Sequence, residues 1–310
     1  MAILLPIVGQ DVSVWGLIVL GLVAGLLAGF FGVGGGFLMA PLLNIVFGIP
    51  YNAAVGSDLA QMLGMSVAGT ARHLGLGNVD YKLGGLMTVG NLLSIEFGAR
   101  LVEALKARGT MNVGGREVHA LDFYLPLAFI VLLFIVATMA FRESREALKR
   151  APRGGIVETE ASRTARRLSF PPFFTSPTSG IERLSIWVPI GLGLATGVLT
   201  GFMGVGGGFV VVPALIYGLS IPTPVAIGTS LFCILFKSAY GCFTHTLKGN
   251  VDILLALILL LGSTVGAQIG ALGTRRFRGA HIRYYFSIVL YLAALLVAVK
   301  LLAKVGLLWA

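Results

Sequence analysis

The sequence predicts an all-α integral membrane protein built from two homologous halves, and three observations carry that prediction. Hydrophobic residues make up 56% of the 310-residue chain, and Asp, Glu, Lys and Arg only 12%, roughly half the charged share of a soluble domain. Ten apolar stretches recur along the chain, and the longer ones reach the roughly 20 residues that cross ~30 Å of hydrocarbon as helix. A shift of 172 residues lays Trp15–Asp80 on Trp187–Asp252 without a gap, giving 30 identities in 66 positions. A repeat of that length marks a duplicated half-transporter or half-channel, not a solenoid unit.

In the first half the apolar stretches fall at Val14–Phe30, Phe37–Phe47, Asn52–Leu74, Leu83–Leu105 and Leu121–Phe141. The series returns at Ile186–Phe202, Phe209–Leu219, Pro224–Leu247, Val251–Thr274 and Tyr284–Leu302. Each half therefore reads as a glycine-broken helix pair followed by three spanning helices, eight to ten helices in all. The expected boundaries are residues 1–142 for the first repeat, 143–183 for a basic linker and 184–310 for the second repeat. The N-terminal apolar run has no basic leader and no small-residue cleavage site, so it reads as retained sequence.

Charge sets the expected orientation. The net charge is +10, yet residues 1–71 contain no Lys or Arg. Nine basic residues crowd between Phe141 and Trp187: Arg142, Arg145, Lys149, Arg150, Arg153, Arg163, Arg166, Arg167 and Arg183. Flanked by hydrophobic spans, they follow the positive-inside bias and do not suggest nucleic-acid binding. The linker is then cytoplasmic, lying against anionic lipid, with a short amphipathic helix at 142–150. Counting crossings outward from it places the N-terminus outside and gives an odd number per half, which makes the repeats inverted. Arg275, Arg276, Arg278 and Arg283 come out cytoplasmic, as expected, whereas Lys106, Arg108 and Arg116 come out external, against the bias.

Gly34, Gly35 and Gly36, matched by Gly206, Gly207 and Gly208, interrupt the apolar sequence at equivalent places. Three adjacent glycines give up ~1 kcal/mol of helix propensity each. Broken backbone in hydrocarbon also needs protein or a cavity around it. Helices restarting at Phe37 and Phe209 would aim N–H groups and partial positive charge at such a cavity, which favours an anion. Close helix packing is the competing role for glycine, and it suits Gly21, Gly25, Gly193 and Gly197. No Gly-Lys-Ser/Thr follows either triplet, so a nucleotide loop is excluded.

Polar residues inside the spans complete the candidate site. Lys237 lies near the middle of its span, where an ammonium costs ~2.5–3.5 kcal/mol even on the mild insertion scale. Thr229, Cys233 and Lys237 share one helix face, and Ser57, Gln61 and Met65 form the matched face. Two unequal faces, one cationic and one neutral, would bind one anion between them, though an ion pair of Lys237 with Asp58 or Glu96 is the structural alternative. Asp58, where the second half has Ser230, is a candidate coupling carboxylate or a helix-start residue. Glu96 forms an i, i+4 pair with Arg100, which reads as neutralisation, with proton carriage as the other role. His73 and His245 precede the two Gly-Asn-Val-Asp elements and suit helix-end packing or proton transfer. Asp80 and Asp252 read as helix caps. Cys233 and Cys242 lie in apolar sequence, which disfavours a disulfide or metal framework. No metal spacing, cofactor motif or catalytic set is visible, so an enzyme is disfavoured.

Gly29-Phe30-Phe31-Gly32-Val33-Gly34-Gly35-Gly36-Phe37 with Pro41, repeated at Gly201-Phe202-Met203-Gly204-Val205-Gly206-Gly207-Gly208-Phe209 with Pro213, resembles the TauE/SafE family, also called the toluene-sulfonate uptake permease family. Ile49-Pro50, Ile221-Pro222 and the two Gly-Asn-Val-Asp elements fit it as well. The resemblance covers both halves and implies a bacterial inner-membrane secondary transporter. Its expected substrates are sulfite, sulfoacetate and other organosulfonates, usually exported. An anion channel, or a transporter for another small anion such as a carboxylate, is the alternative. The expected partners are the substrate, the bilayer and a second copy in a homodimer.

Overall fold

The computed structural model describes residues 2–9, 11–113, 116–149, 163, 170–203 and 206–305. Among them ten helices form one all-α bundle: α1 Val14–Phe31, α2 Gly36–Phe47, α3 Tyr51–Gly75, α4 Tyr81–Lys106, α5 Ala120–Lys149, α6 Trp187–Met203, α7 Gly208–Gly218, α8 Thr223–Leu247, α9 Ile253–Gly273 and α10 Gly279–Val305. Five helices are long and apolar enough to cross a membrane: Val14–Phe31, Phe123–Lys149, Thr223–Leu247, Ile253–Gly273 and Gly279–Ala303. Trp15, Leu93, Phe134, Leu261 and Leu295 are among the large apolar side chains left exposed, as lipid-facing positions require.

The helix limits follow local chemistry. Ser13 Oγ caps α1 by accepting the Gly16 N–H at 3.3 Å. The expected caps at Asp80 and Asp252 are present, their carboxylates accepting from Leu83 N and Leu255 N at 3.0 and 3.1 Å. α5 departs from expectation. It runs unbroken to Lys149, so residues 143–149 extend a span and form no separate amphipathic helix. Glu, Ala, Leu, Arg and Lys are strong helix formers and carry the ladder past the end of the apolar run. The linker from Arg150 to Ser169 lies outside the described residues except Arg163. Three two-stranded antiparallel hairpins sit next to helix ends: Ala2–Leu4 with Asp11–Ser13, Thr110–Val113 with Arg116–His119, and Phe173–Ser176 with Ile181–Ser185.

Packing crosses between the sequence-matched segments. Gly21, Gly25 and Gly29 of α1 lie against the backbone of Leu259, Ser263 and Ala267 in α9, while Gly193, Gly197 and Gly201 of α6 lie against Met87, Asn91 and Ile95 in α4. A Cβ at any of these six would strike the neighbouring helix, so the small residues set the helix separation. Both registers advance in the same direction, so each pair is parallel. α3 and α8 instead run antiparallel: a Cβ on Gly241 would lie 3.0 Å from Leu59 Cδ1, and one on Gly69 would lie 3.1 Å from Leu231 Cδ1. Two further hydrogen bonds obey the same exchange. Asp80 N–H donates to Thr229 Oγ1 at 3.0 Å, and Asp252 N–H donates to Ser57 Oγ at 2.9 Å.

Candidate functional site

The antiparallel pair α3–α8 forms the centre of the molecule, and both glycine breaks pack against it. Gly35 (φ 75°, ψ −25°) is the N-cap of α2, and Gly207 (φ 67°, ψ 5°) is the N-cap of α7. Both occupy the left-handed region, which costs a residue with a Cβ about 1–2 kcal/mol. Gly36 and Gly208 are the first helical residues that follow.

The breaks meet each other. A Cβ on Gly34 would lie 3.2 Å from Met62 Sδ and 3.0 Å from Ile234 Cδ1, and one on Gly206 would lie 2.7 Å from Met62 Sδ and 3.7 Å from Ile234 Cγ2. One on Gly208 would lie 2.6 Å from the Gly32 carbonyl oxygen. Met62 and Ile234 are themselves related by the 172-residue shift. Ser230 Oγ adds a bond to the Gly32 carbonyl at 2.8 Å. Side chains therefore occupy the space between the two breaks in this conformation, and a solute would have to displace them.

Lys237 lies within this centre at 1% exposure, and its Nζ has no hydrogen-bond partner among the described residues. A Cβ on Gly207 would sit 3.3 Å from that nitrogen and would collide with Thr200 Oγ1. The cation is thus held beside the start of α7. Thr200 Oγ1 donates to the Thr196 carbonyl at 2.8 Å, and Thr196 Oγ1 donates to Asn91 Oδ1 at 2.9 Å. Ser66 and Thr70 of α3 also carry buried hydroxyls without partners among the described residues. Buried polar atoms are nearly always paired, so Ser66, Thr70 and Lys237, with His245 Nδ1 as the fourth orphan on these two helices, point to ligand or water.

Most other predicted residues are occupied structurally. Ser57 and Thr229 accept cap amides across the interface, and Cys233 Sγ faces the Gly84 carbonyl at 3.5 Å. Gln61 donates to Asp58 Oδ1 at 2.8 Å and accepts from Ser263 Oγ at 2.7 Å, forming a fully buried chain. His73 Nε2 donates to the Gly29 carbonyl at 3.0 Å, near the end of α1, and Asn78 Nδ2 lies 3.4 Å from its other ring nitrogen. His245 Nδ1 is buried with no partner among the described residues. Glu96 stays with Arg100 at 3.6 Å on an exposed face, with side chains 58% and 72% exposed. The structure does not bring it to the centre.

The sequence reading missed Thr200, Thr196, Asn91, Ser66 and Thr70. In a span each looks like an ordinary small polar residue, and only the fold sets Thr200 against Gly207. It also missed a half-buried ion pair beside the start of α8. Arg283 clamps Glu143 with Nε–Oε2 and Nη2–Oε1 contacts of 2.6 and 2.9 Å and donates to Thr223 Oγ1 at 2.5 Å. A small cavity beside it is lined by Phe31, Tyr217, Thr223, Arg283 and Phe286.

Long apolar helices, facing backbone breaks and a buried cation without a partner among the described residues are features that suit a membrane transporter. Residues 6–114 and 111–297 each match the family described as sulfite exporter TauE/SafE. The chain belongs to the TauE/SafE family. Its relatives include three described as probable membrane transporter proteins of Bacillus subtilis. YunE is 26% identical over 89% of this chain and 94% of its own length. YdhB is 25% identical over 80% and 84%, and YjnA 26% identical over 90% and 97%. No solved structure matches.

Proposed function

We propose that the protein is a secondary transporter of the bacterial inner membrane that exports sulfite or a small organosulfonate anion. Its two halves are inverted repeats, and they alternate access around a central site at the two glycine breaks. The observation that carries this reading is Lys237: a buried ammonium without a hydrogen-bond partner among the described residues, placed at the N-terminal end of α7 where the helix dipole also favours negative charge. The antiparallel crossing of the matched helices α3 and α8 supports the inverted arrangement. The basic residues from Arg142 to Arg183 support a cytoplasmic position for the central segment. The description of the family as a sulfite exporter supports the substrate class.

The binding set is Lys237 with Gly34, Gly35, Gly36, Gly206, Gly207 and Gly208 around it, and Met62 moves aside as substrate enters. Asp58, buried at 3% exposure and hydrogen-bonded to Gln61, is the coupling carboxylate. Sulfite and sulfoacetate flux into proteoliposomes tests the reading. Wild-type protein should give saturable transport with counterflow, and Lys237→Ala should reduce it at least ~30-fold, the loss expected on removing a buried charged partner. Undiminished flux in the variant removes the lysine from the site, and unitary conductance in planar bilayers would make the protein a channel.

A further inference from the structure

We infer that the hydroxyls of Ser66 and Thr70 form a second, uncharged subsite, and that the anion is held between it and Lys237. This rests on the anion site proposed above and adds the donors for oxygens turned away from the ammonium.

The first observation is a broken habit. Serines and threonines inside the helices of this chain bond to the carbonyl one turn back: Thr88 to Gly84 at 2.8 Å, Ser94 to Gly90 at 3.0 Å and Thr138 to Phe134 at 2.7 Å. Ser238, which the 172-residue shift matches to Ser66, does the same with Ile234 at 2.8 Å. Ser66 and Thr70 are exposed by only 0% and 5%, and neither hydroxyl has a partner among the described residues. A buried hydroxyl that forgoes even the adjacent carbonyl is left for a ligand.

The second observation is their place. Met62 of α3 lies against Gly34, and His73 of the same helix bonds to the Gly29 carbonyl at 3.0 Å. Ser66 and Thr70 fall between those anchors, and at ~100° per residue all four share an arc of about 80°. Both hydroxyls therefore lie on the face that α3 turns toward the first break. There the N–H of Gly36, first in α2, has no acceptor in its own helix, which adds a backbone donor on the same side.

The crossing sets the level of each group. Leu59 meets Gly241 and Leu231 meets Gly69, so each step forward along α3 is a step back along α8, and Lys237 stands level with Leu63. Ser66 is then ~4.5 Å along the axis from it and Thr70 ~10 Å. Asp58 lies on the other side of Met62, tied to Gln61. An oxygen turned toward Ser66 meets donors, and one turned the opposite way meets a carboxylate. Compact sulfite can bond Lys237 and Ser66 together. Sulfoacetate, with its sulfonate on Lys237, carries its carboxylate on to Thr70.

The test uses the full-length protein in detergent as wild type, Ser66→Ala, Thr70→Val, Thr70→Ser and Lys237→Met, with calorimetric titration of sulfite and sulfoacetate and unfolding midpoints without ligand. Ser66→Ala should weaken both anions about tenfold, and Thr70→Val should weaken sulfoacetate about tenfold and sulfite much less. Thr70→Ser should bind like wild type. Since neither hydroxyl is bonded within the protein, the ligand-free midpoints of Ser66→Ala and Thr70→Val should stay level or rise. Wild-type affinities in both, with binding lost only in Lys237→Met, would overturn the subsite and leave the anion site standing. A lowered midpoint or a failure to fold in either would also overturn it, by showing that the hydroxyl serves the resting structure. Neither anion binding to wild type, or equal binding in every variant, would overturn the anion site and the subsite together.

Discussion

The two glycine breaks share a backbone and differ in what surrounds it. Both place a left-handed glycine as N-cap, at Gly35 and Gly207, and both press on Met62 and Ile234. The second has Lys237 and Thr200 beside it, and the first has Met65, Ala28 and Ala24 at the matched positions. Duplication thus preserved the part that must break and restart a helix inside hydrocarbon. Divergence fell on the side chains that decide charge. On the reading proposed above, a pair of equivalent frames with one cation makes a single site out of two sockets.

The most severe test of that contrast transposes it. Lys237→Met alone should abolish anion transport, while Met65→Lys combined with Lys237→Met should restore a measurable fraction by charging the other socket. Flux in proteoliposomes decides, and a silent double mutant would show that the frames are not interchangeable. Glycine replacement should come next in size. Gly207→Ala meets both the positive-φ penalty of about 1–2 kcal/mol and a collision with Thr200. Gly35→Ala meets the penalty and an ordinary contact with Ala24 at 3.4 Å. Transport should therefore fall further in Gly207→Ala, and Gly207→Leu and Gly35→Leu should each cripple it. Equal, mild losses in the two alanine variants would remove the distinction. The smallest effect concerns the duplicated histidines. His73→Ala loses the bond to the Gly29 carbonyl and should destabilise the detergent-solubilised protein by about 1–3 kcal/mol. His245→Ala, lacking such a bond, should change the unfolding midpoint far less. Matching shifts would mean that the helix-end contacts are equivalent after all.

Much of the fold was legible because lipid leaves few choices. A span must be apolar and about 20 residues long, and the 172-residue repeat provided a second witness for the first three helices of each half. The hairpins were not legible, since short polar loops carry no comparable pattern. The end of α5 was obscured because charge at Arg142, Arg145 and Lys149 ends an apolar run without ending a helix. At the centre, Lys237 and the glycine triplets stood out as residues that are expensive in hydrocarbon. Ser57 and Thr229 stood out by their place on the helix face of Lys237 and its matched face, yet serve as acceptors for the amides of Asp252 and Asp80. Thr200 gave no signal because its meaning depends on Gly207, which lies beside it in space and not within a helical turn.

The crossing of Leu59 on Gly241 and Leu231 on Gly69 has a last consequence. A half-turn about the point where α3 meets α8 carries each contact into the other. Under the alternating-access reading proposed above, letting segment 15–80 adopt the fold now held by 187–252, and the reverse, would open the opposite doorway without any new kind of contact. One conformation would then already contain the blueprint of its counterpart.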